Sequence, residues 1–251
     1  MQSSIDTRFY AGTSGIVIPF SRELYPDDFK ENSRLTYYAS LFNSIEINSS
    51  FYKLPKGSTV IKWCETVPKD FGFTFKLSKS ISHAKDLDFD AEDVALFMQT
   101  VNNVDRKKGC ILVQLPPSLK SAKIKQLENL FKIIDAANTH REWKVVVEFR
   151  NKGWYNDRTY KLLREYSNNL VLHDLPASAT PLTEPLTDVI YLRFHGTEKG
   201  YRGSYEDKFL RAYAQRIRQW ISEGKYVYCY FNNTLGNAFN NLQALNRFVL
   251  V

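Results

Sequence analysis

The chain has 251 residues, of which 43% are hydrophobic and 24% are charged, and its formal net charge is +7. These values exclude a disordered chain and favour anionic partners, although many basic proteins bind no anion. No stretch approaches the roughly 18 apolar residues of a membrane span, and the N-terminus has no apolar signal region. The three cysteines are scattered and form no C-x-x-C pair. We therefore expect a soluble cytoplasmic protein without a disulfide framework or a membrane partner.

Eight short apolar or alternating runs are predicted to be β-strands, and they recur about every thirty residues, which is the size of a βα unit. In chain order they cover residues 9–12, 44–48, 73–77, 110–115, 145–149, 170–174, 189–195 and 226–231. Apolar residues at helical spacing lie between most of them. This spacing predicts helices over residues 124–134, 209–221 and 242–249.

The interval after the sixth strand, DLPASATPLTEPLTD over residues 174–188, contains three prolines and predicts a long loop or one degenerate turn. Eight strands alternating with helices predict an α/β fold, namely a (β/α)8 TIM barrel whose helix after strand six is degenerate. A doubly wound open sheet is the alternative. Because no interdomain linker is visible, we predict a single domain over residues 1–251.

Nearly every predicted strand changes from apolar to polar at its carboxyl end, where a (β/α)8 barrel has its active site. The run VVVEFR is an example, because strand side chains alternate and Glu148 and Arg150 therefore leave on the same side. The alternative is a structural ion-pair layer that caps the core. We predict that the barrel mouth is lined by a ring of Glu46, Lys76, Glu148, Arg150, Arg193 and His195.

Six motifs, GTSG, EINSSFY, ISH, VEFRNKGW, YLRFHG and YFNN, occur in this order along nearly the whole chain. In them the sequence resembles the YecE-like family of TIM-barrel proteins, a domain of unknown function. The resemblance implies the barrel fold and no particular reaction. The positions that match the family pattern are Glu46, Asn48, Tyr52, Glu148, Arg150, Trp154, Arg193, His195, Gly196, Asn232 and Asn233.

Phosphate binding is one chemistry that this mouth could support, because many barrels hold a phosphate between the loops after strands seven and eight. The first of these loops, HGTEKGYRGSY, contains Gly196 and Arg202, and the second places Gly236 near the start of the last helix. Free backbone N–H groups there would favour an anion. Arg193 could add a guanidinium fork.

A divalent metal is left open but is not favoured. Lys76, Arg150 and Arg193 would lie among the ligands and neutralise the carboxylates in the place of the metal. GTSG is too short to be a dinucleotide fingerprint, so no nucleotide cofactor is predicted and no metal ligand is assigned. The residues whose types suit a metal are Glu46, Glu148, His173, Asp174 and His195.

We predict an enzyme that acts on a phosphorylated or otherwise anionic small substrate. The alternatives are a nucleic-acid-binding protein or phosphodiesterase or nuclease that uses the same basic mouth, and a non-catalytic anion binder. The oligomeric state is not predicted. Proton transfer or nucleophilic attack is assigned to Glu46, Glu148, His195 and Lys76. The alternative for Lys76 is a salt bridge to Glu46 or Glu148. Substrate binding is assigned to Asn48, Tyr52, Arg150, Trp154, Asp174, Arg193, Gly196, Arg202, Asn232 and Asn233.

Overall fold

A barrel of eight parallel strands forms the centre of the protein. The structure is a computed structural model that describes residues 8–181 and 185–250. The strands pair in the order β1-β8-β7-β6-β5-β4-β3-β2, which confirms the predicted (β/α)8 barrel and excludes the open sheet. They are β1 (Phe9–Thr13), β2 (Ser44–Ile47), β3 (Gly72–Lys76), β4 (Lys108–Leu115), β5 (Lys144–Phe149), β6 (Asn169–His173), β7 (Val189–Phe194) and β8 (Tyr226–Phe231).

Helices surround the barrel, and the three predicted from apolar spacing are α5, α7 and α8. In the described residues 174–181 and 185–188, between β6 and β7, no helix forms, as the prolines predict; residues 182–184 of that predicted loop lie outside the described residues. The helices are α1 (Arg34–Leu41), α2 (Gly57–Glu65), α3 (Lys79–Ser82), α4 (Ala91–Val101), α5 (Ile124–Ala137), α6 (Asp157–Glu165), α7 (Asp207–Ser222) and α8 (Ala238–Val249). None of those in the described part of the chain combines the length and apolar character that a membrane crossing requires.

Strand alternation divides the core into two parts. On β5, Val145 and Val147 belong to the large core between strands and helices, whereas Val146 belongs to a small cluster inside the barrel. Glu148 follows Val146 by two residues and therefore faces the interior. The inner cluster consists of Cys110, Leu112, Val146, Val171, Val189, Tyr191, Tyr228 and Tyr230.

Tyrosines fill the middle of the barrel. The Tyr230 hydroxyl on β8 lies 2.6 Å from Ser44 Oγ on β2 and 2.9 Å from Thr74 Oγ1 on β3. Gly12 on β1 allows the close strand approach that this packing needs, since a Cβ there would lie 2.1 Å from the Ser44 carbonyl oxygen. The tyrosine layer thus supports the polar residues at the mouth.

The joint between β1 and β2 is made by individual contacts rather than by a continuous ladder. At one end, the Asn43 side chain accepts from Ala11 N at 2.9 Å and donates to Phe9 O at 2.7 Å. At the mouth, an isolated parallel bridge pairs Ser14 with Glu46. These contacts complete the nearly closed barrel.

Candidate functional site

A buried ion-pair network forms the floor of the mouth, and Arg193 on β7 is its centre. Arg193 Nε lies 3.2 and 3.1 Å from the two carboxylate oxygens of Glu46, and Arg193 Nη2 lies 2.9 Å from Glu46 Oε1. Arg193 Nη1 donates to Glu148 Oε2 at 2.9 Å. All three side chains are at most 1% exposed. The guanidinium that was predicted to hold a phosphate is therefore already occupied by protein carboxylates.

The same contacts keep the floor charged. Burial is the largest influence on both carboxyls and tends to raise their pKa. The Arg193 guanidinium outweighs it together with Ser14 and Tyr191 at Glu46, and with His195 and Arg150 at Glu148. The pKa of Glu46 is therefore lowered, and that of Glu148 lies well below its usual value. Burial tends to lower the pKa of Arg193, yet the two carboxylates raise it above its usual value. Glu46 also accepts from Ser14 Oγ at 2.6 Å and from the Tyr191 hydroxyl at 2.5 Å. The alternative of a structural ion-pair layer thus describes Arg193 and Glu46 well.

Arg150 and Glu148 lie on the same side of β5 and its extension, as their spacing predicts, and Arg150 Nε donates to Glu148 Oε1. The Arg150 side chain remains 14% exposed, whereas Glu148 is fully buried. Arg150 is therefore the guanidinium of the ring that still reaches the solvent side of the mouth.

Lys76 lies at the end of β3, and its side-chain ammonium has no ion-pair or hydrogen-bond partner within residues 8–181 and 185–250. Its Nζ lies 4.0 Å from the centre of the Phe51 ring, a cation–π contact. A salt bridge from Lys76 to Glu46 or Glu148, the competing expectation for this residue, is not formed. Burial, and then the charge of Arg193, lower the pKa of Lys76 to about 8. Lys76 is thus a partly buried cation without a counter-charge in contact.

His195, just beyond β7, presents an unused donor. The Asn232 amide nitrogen lies 2.9 Å from His195 Nδ1, so Nδ1 accepts and the proton of the neutral ring resides on Nε2. Burial lowers the pKa of His195 to about 4, which keeps the ring neutral at physiological pH. Nε2 is buried, 3.6 Å from Glu148 Oε2, and has no hydrogen-bond partner among the described residues. It is therefore available to an oxygen of a ligand.

Three backbone donors of the predicted phosphate cradle between the loops after β7 and β8 are used within the protein. Gly196 N donates to the Tyr205 hydroxyl at 2.6 Å. Leu235 N donates to Tyr201 O, and Gly236 N to Asn233 O. Arg202 is exposed and away from the buried floor.

Two other predicted ligand-binding residues have structural contacts. Asp174 accepts from His195 N at 2.8 Å and from the Tyr205 hydroxyl. Asn233 donates from Nδ2 to Gly203 O and to Asn241 Oδ1, both at 3.1 Å. These contacts fix the loops that follow β6, β7 and β8.

Trp154 is fully buried, stacks on Phe149 at 5.0 Å and donates from Nε1 to Leu119 O at 2.8 Å. The prediction that it stacks on a ligand is not supported, because no face of its ring is free. Two further predicted binding residues, Tyr52 and Asn48, differ in their solvent exposure. Tyr52 is 81% exposed at the rim, and Asn48 accepts from Arg193 Nη2 at 3.4 Å.

Sequence reasoning missed two polar residues beside Lys76, namely His83 and Gln114. The His83 ring packs edge-on against Phe51 at 4.8 Å, and its Nε2 lies 3.4 Å from Gln114 Nε2. Burial, and then the charge of Lys76, lower the pKa of His83 to about 4. His83 lies in the motif ISH and Gln114 ends the fourth strand, so both signals were present in the sequence. Ser14 and Tyr191, which bind Glu46, were also missed, although Tyr191 precedes Arg193 by two residues and shares its face.

Glu148, His173 and His195 could bring three metal-ligating atoms within 4.8 Å of one another. Both Glu148 oxygens, however, already accept from Arg150 and Arg193. A divalent cation would therefore lie beside two guanidinium groups, and these residues do not fit it. Since three cations face two carboxylates in this region and the histidines are neutral, the mouth suits an anion better.

The fold and this charged mouth define a TIM-barrel protein with a polar site at the carboxyl ends of its strands. Residues 10–250 match the family model described as "Protein of unknown function DUF72". The chain therefore belongs to this family, which confirms the resemblance seen in its motifs.

Two relatives and one solved structure illustrate the match. The chain is 28% identical over 159 residues to UPF0759 protein YecE of Escherichia coli (strain K12), and the matched region covers 61% of this chain. It spans only 57% of that relative, less than two thirds of its length. It is 24% identical over 246 residues to UPF0759 protein YunF of Bacillus subtilis (strain 168), covering 85% of both. The crystal structure of a DUF72 family protein from Enterococcus faecalis V583 has a TM-score of 0.76 at 19% identity, covering 97% of this chain and 96% of the other, and shows the shared fold.

Proposed function

We propose that the barrel mouth binds a small anionic ligand and that the protein is an enzyme acting on it. The observation that carries this proposal is the pair of donors without a protein acceptor, Lys76 Nζ and His195 Nε2. Among the residues described, Lys76 Nζ has no acceptor in contact, and the acceptor nearest to the buried His195 Nε2 is Glu148 Oε2 at 3.6 Å, beyond hydrogen-bond distance. A buried polar group without a hydrogen bond costs free energy. An anionic oxygen would satisfy both kinds of donor.

The proposed binding groups lie at the carboxyl ends of β3, β5 and β7 rather than farther out in the loops after β7 and β8. Lys76 and Arg150 supply positive charge at this position, and the neutral His195 ring supplies an N–H donor. Glu148, held ionised by Arg193, is the carboxylate nearest to His195 and can accept a proton. Phosphate or carboxylate on a small molecule is the chemistry that these groups fit.

The test is calorimetric titration with inorganic phosphate, accompanied by thermal unfolding. Phosphate at a hundred times its Kd should add about 2.7 kcal/mol of stability, which corresponds to a rise of roughly 5–10 °C for a chain of this size. Lys76→Gln should weaken phosphate binding by about tenfold or more, since it removes a charge-assisted contact worth about 1.5–3 kcal/mol. Lys79→Gln, which removes an exposed lysine three residues away, should leave the affinity within about twofold.

A phosphate site between the loops after β7 and β8 would give the opposite effects of the variants on phosphate binding. If Arg202→Gln abolishes phosphate binding and Lys76→Gln does not, the ligand lies between the loops after β7 and β8 and the proposed position is wrong. Short single-stranded DNA serves as a third arm. Tight binding to DNA that falls steeply with salt, without phosphate binding, would replace the small ligand by nucleic acid.

A further inference from the structure

Lys76 lies at a position in the mouth where its amine could act as a nucleophile as well as supply positive charge. Its strand places it inside the mouth, because Thr74, two residues earlier on the same face of β3, contacts Tyr230 within the barrel. The ammonium rests on the Phe51 ring and has no carboxylate in contact within the described chain. A lysine that serves only to stabilise a fold is normally paired with a carboxylate. The partly buried Lys76 ammonium contacts an aromatic ring instead.

We propose that Lys76 is a nucleophile that forms a Schiff base with the carbonyl group of an anionic aldehyde or ketone. The inference rests on the proposed anion site, since Arg150 is the cation that would hold the anionic group while Lys76 reaches the carbonyl carbon. It names the substrate class: a small carbonyl compound that carries a phosphate or a carboxylate.

The surroundings favour this reaction in two ways. Desolvation, followed by the positive charge of Arg193, lowers the pKa of Lys76 to about 8, so that about one tenth of the amine is free at pH 7. Desolvation and a neighbouring cation are the two means by which proteins activate a lysine nucleophile. Glu46 and Glu148 act in the opposite direction on Lys76, and their negative charge would stabilise the protonated imine once it forms.

The reaction balances without an oxidant or a reductant. The free electron pair of Nζ forms a bond to the carbonyl carbon, and the π electrons of the C=O bond move to oxygen, which takes up a proton. Loss of that oxygen as water then gives a C=N bond. Overall, one ammonium and one carbonyl give one protonated imine and one water. The two protons of the water come from the ammonium. The His195 Nε2–H, which has no hydrogen-bond partner among the described residues, can donate a hydrogen bond to the departing oxygen.

Trapping with borohydride tests the inference on the full-length protein. Dihydroxyacetone phosphate is added, sodium borohydride reduces any imine to a stable secondary amine, and peptide mass spectrometry locates the adduct. Lys79, exposed and three residues away, is the internal reference. Because each unit of pKa changes the free-amine fraction tenfold, adduct on Lys76 should exceed adduct on Lys79 by about tenfold or more.

Two variants and one independent measurement separate the possible failures. Lys76→Arg keeps the positive charge and should lose the adduct at this position, while Lys79→Arg should keep the adduct on Lys76. If the wild type binds inorganic phosphate but Lys76 is labelled no more than Lys79, the Schiff-base inference is overturned and the anion site stands. If Lys76 is labelled preferentially but phosphate does not bind, the nucleophile stands and the anion site falls.

Discussion

Arg193 and Glu46 face each other across the barrel interior and form a forked ion pair with three N···O distances between 2.9 and 3.2 Å. Because the same guanidinium also holds Glu148, one buried cation compensates two buried carboxylates. The pair therefore stabilises the buried floor of the site, and contacts to a ligand must come from other side chains of the mouth.

Arg193→Gln should destabilise the fold by about 3–5 kcal/mol at pH 7, because it leaves the buried Glu46 without a counter-charge and Glu148 with Arg150 alone. Urea unfolding measures the loss, and Arg106→Gln, which removes an exposed arginine, should change the unfolding free energy by no more than about 0.5 kcal/mol. The penalty of Arg193→Gln should shrink as the pH falls towards 4.5, because burial without Arg193 raises the pKa of Glu46 and the carboxyl then takes up a proton in the variant. A loss under 1 kcal/mol at pH 7 would show that the network is not a structural floor.

His195 should make the fold less stable as the pH falls. The pKa of His195 is about 4 in the folded protein, against the ordinary histidine value of 6.5. The unfolded state therefore binds more protons between these values, and stability decreases from about pH 6.5 towards pH 4. Between pH 7 and pH 5 the contribution of His195 is about 2 kcal/mol. His195→Asn should reduce the pH dependence of the unfolding free energy by this amount.

The control for this titration is His140→Asn. His140 is exposed and has a φ of 60°, a conformation that asparagine tolerates. The variant should keep the pH dependence of the wild type. If His195→Asn also keeps it, the imidazole is not held neutral by burial.

Lys76→Met should stabilise the protein by about 1–3 kcal/mol at pH 7, because it removes a partly buried charge that has no partner in contact. The sign follows from the pKa of Lys76, which is lowered to about 8 when folded. The unfolded state therefore binds the proton more tightly, and the charged form costs stability at every pH below about 8. Unfolding in urea measures the gain, whereas a destabilised Lys76→Met protein would assign Lys76 to the structure.

Gly196→Ala should cost much more than Gly200→Ala, although both glycines have positive φ angles, of 102° and 77°. A Cβ on Gly196 would lie 2.1 Å from Arg202 O, while nothing lies within 4 Å of a Cβ on Gly200. We expect a loss of about 1 kcal/mol for Gly200→Ala from backbone strain alone and a loss above about 3 kcal/mol for Gly196→Ala, to which the steric clash adds. Thermal unfolding of the two variants side by side checks the order, and equal losses would contradict the tight packing of this loop.

The strands and the barrel could be predicted from the sequence because they depend on local alternation and on apolar runs. The placement of Glu148 and Arg150 on one side followed from the same alternation, and the structure confirms it. Which charges neutralise each other could not be predicted, because Arg193 and Glu46 are 147 residues apart and meet only when the barrel closes. The burial of Trp154 could not be predicted for a related reason. The sequence around a tryptophan that follows a strand does not show whether its ring lies at the mouth or packs inward.

The phosphate loop stays a prediction, because glycines indicate backbone freedom and not whether a backbone N–H group is free. Gly236 serves close packing between two loops, since a Cβ there would lie 2.4 Å from Gly203 O. Lys76 was visible as a single residue, but the absence of a carboxylate in contact with its ammonium among the described residues is a property of three-dimensional packing.

The joint between β1 and β2 gives Glu46 a second role. Its backbone carbonyl accepts from Gly15 N at 2.8 Å, and its side chain accepts from Ser14 Oγ at 2.6 Å, while the Asn43 side chain completes the joint at the far end. The cylinder should open most easily where a ladder of hydrogen bonds is missing. Opening there would break the Ser14–Glu46 contact and disturb the charge that holds Arg193. Closure of the barrel and the charge balance at its mouth therefore depend on each other. A variant that loosens β1 would also alter the site at the ends of β3, β5 and β7.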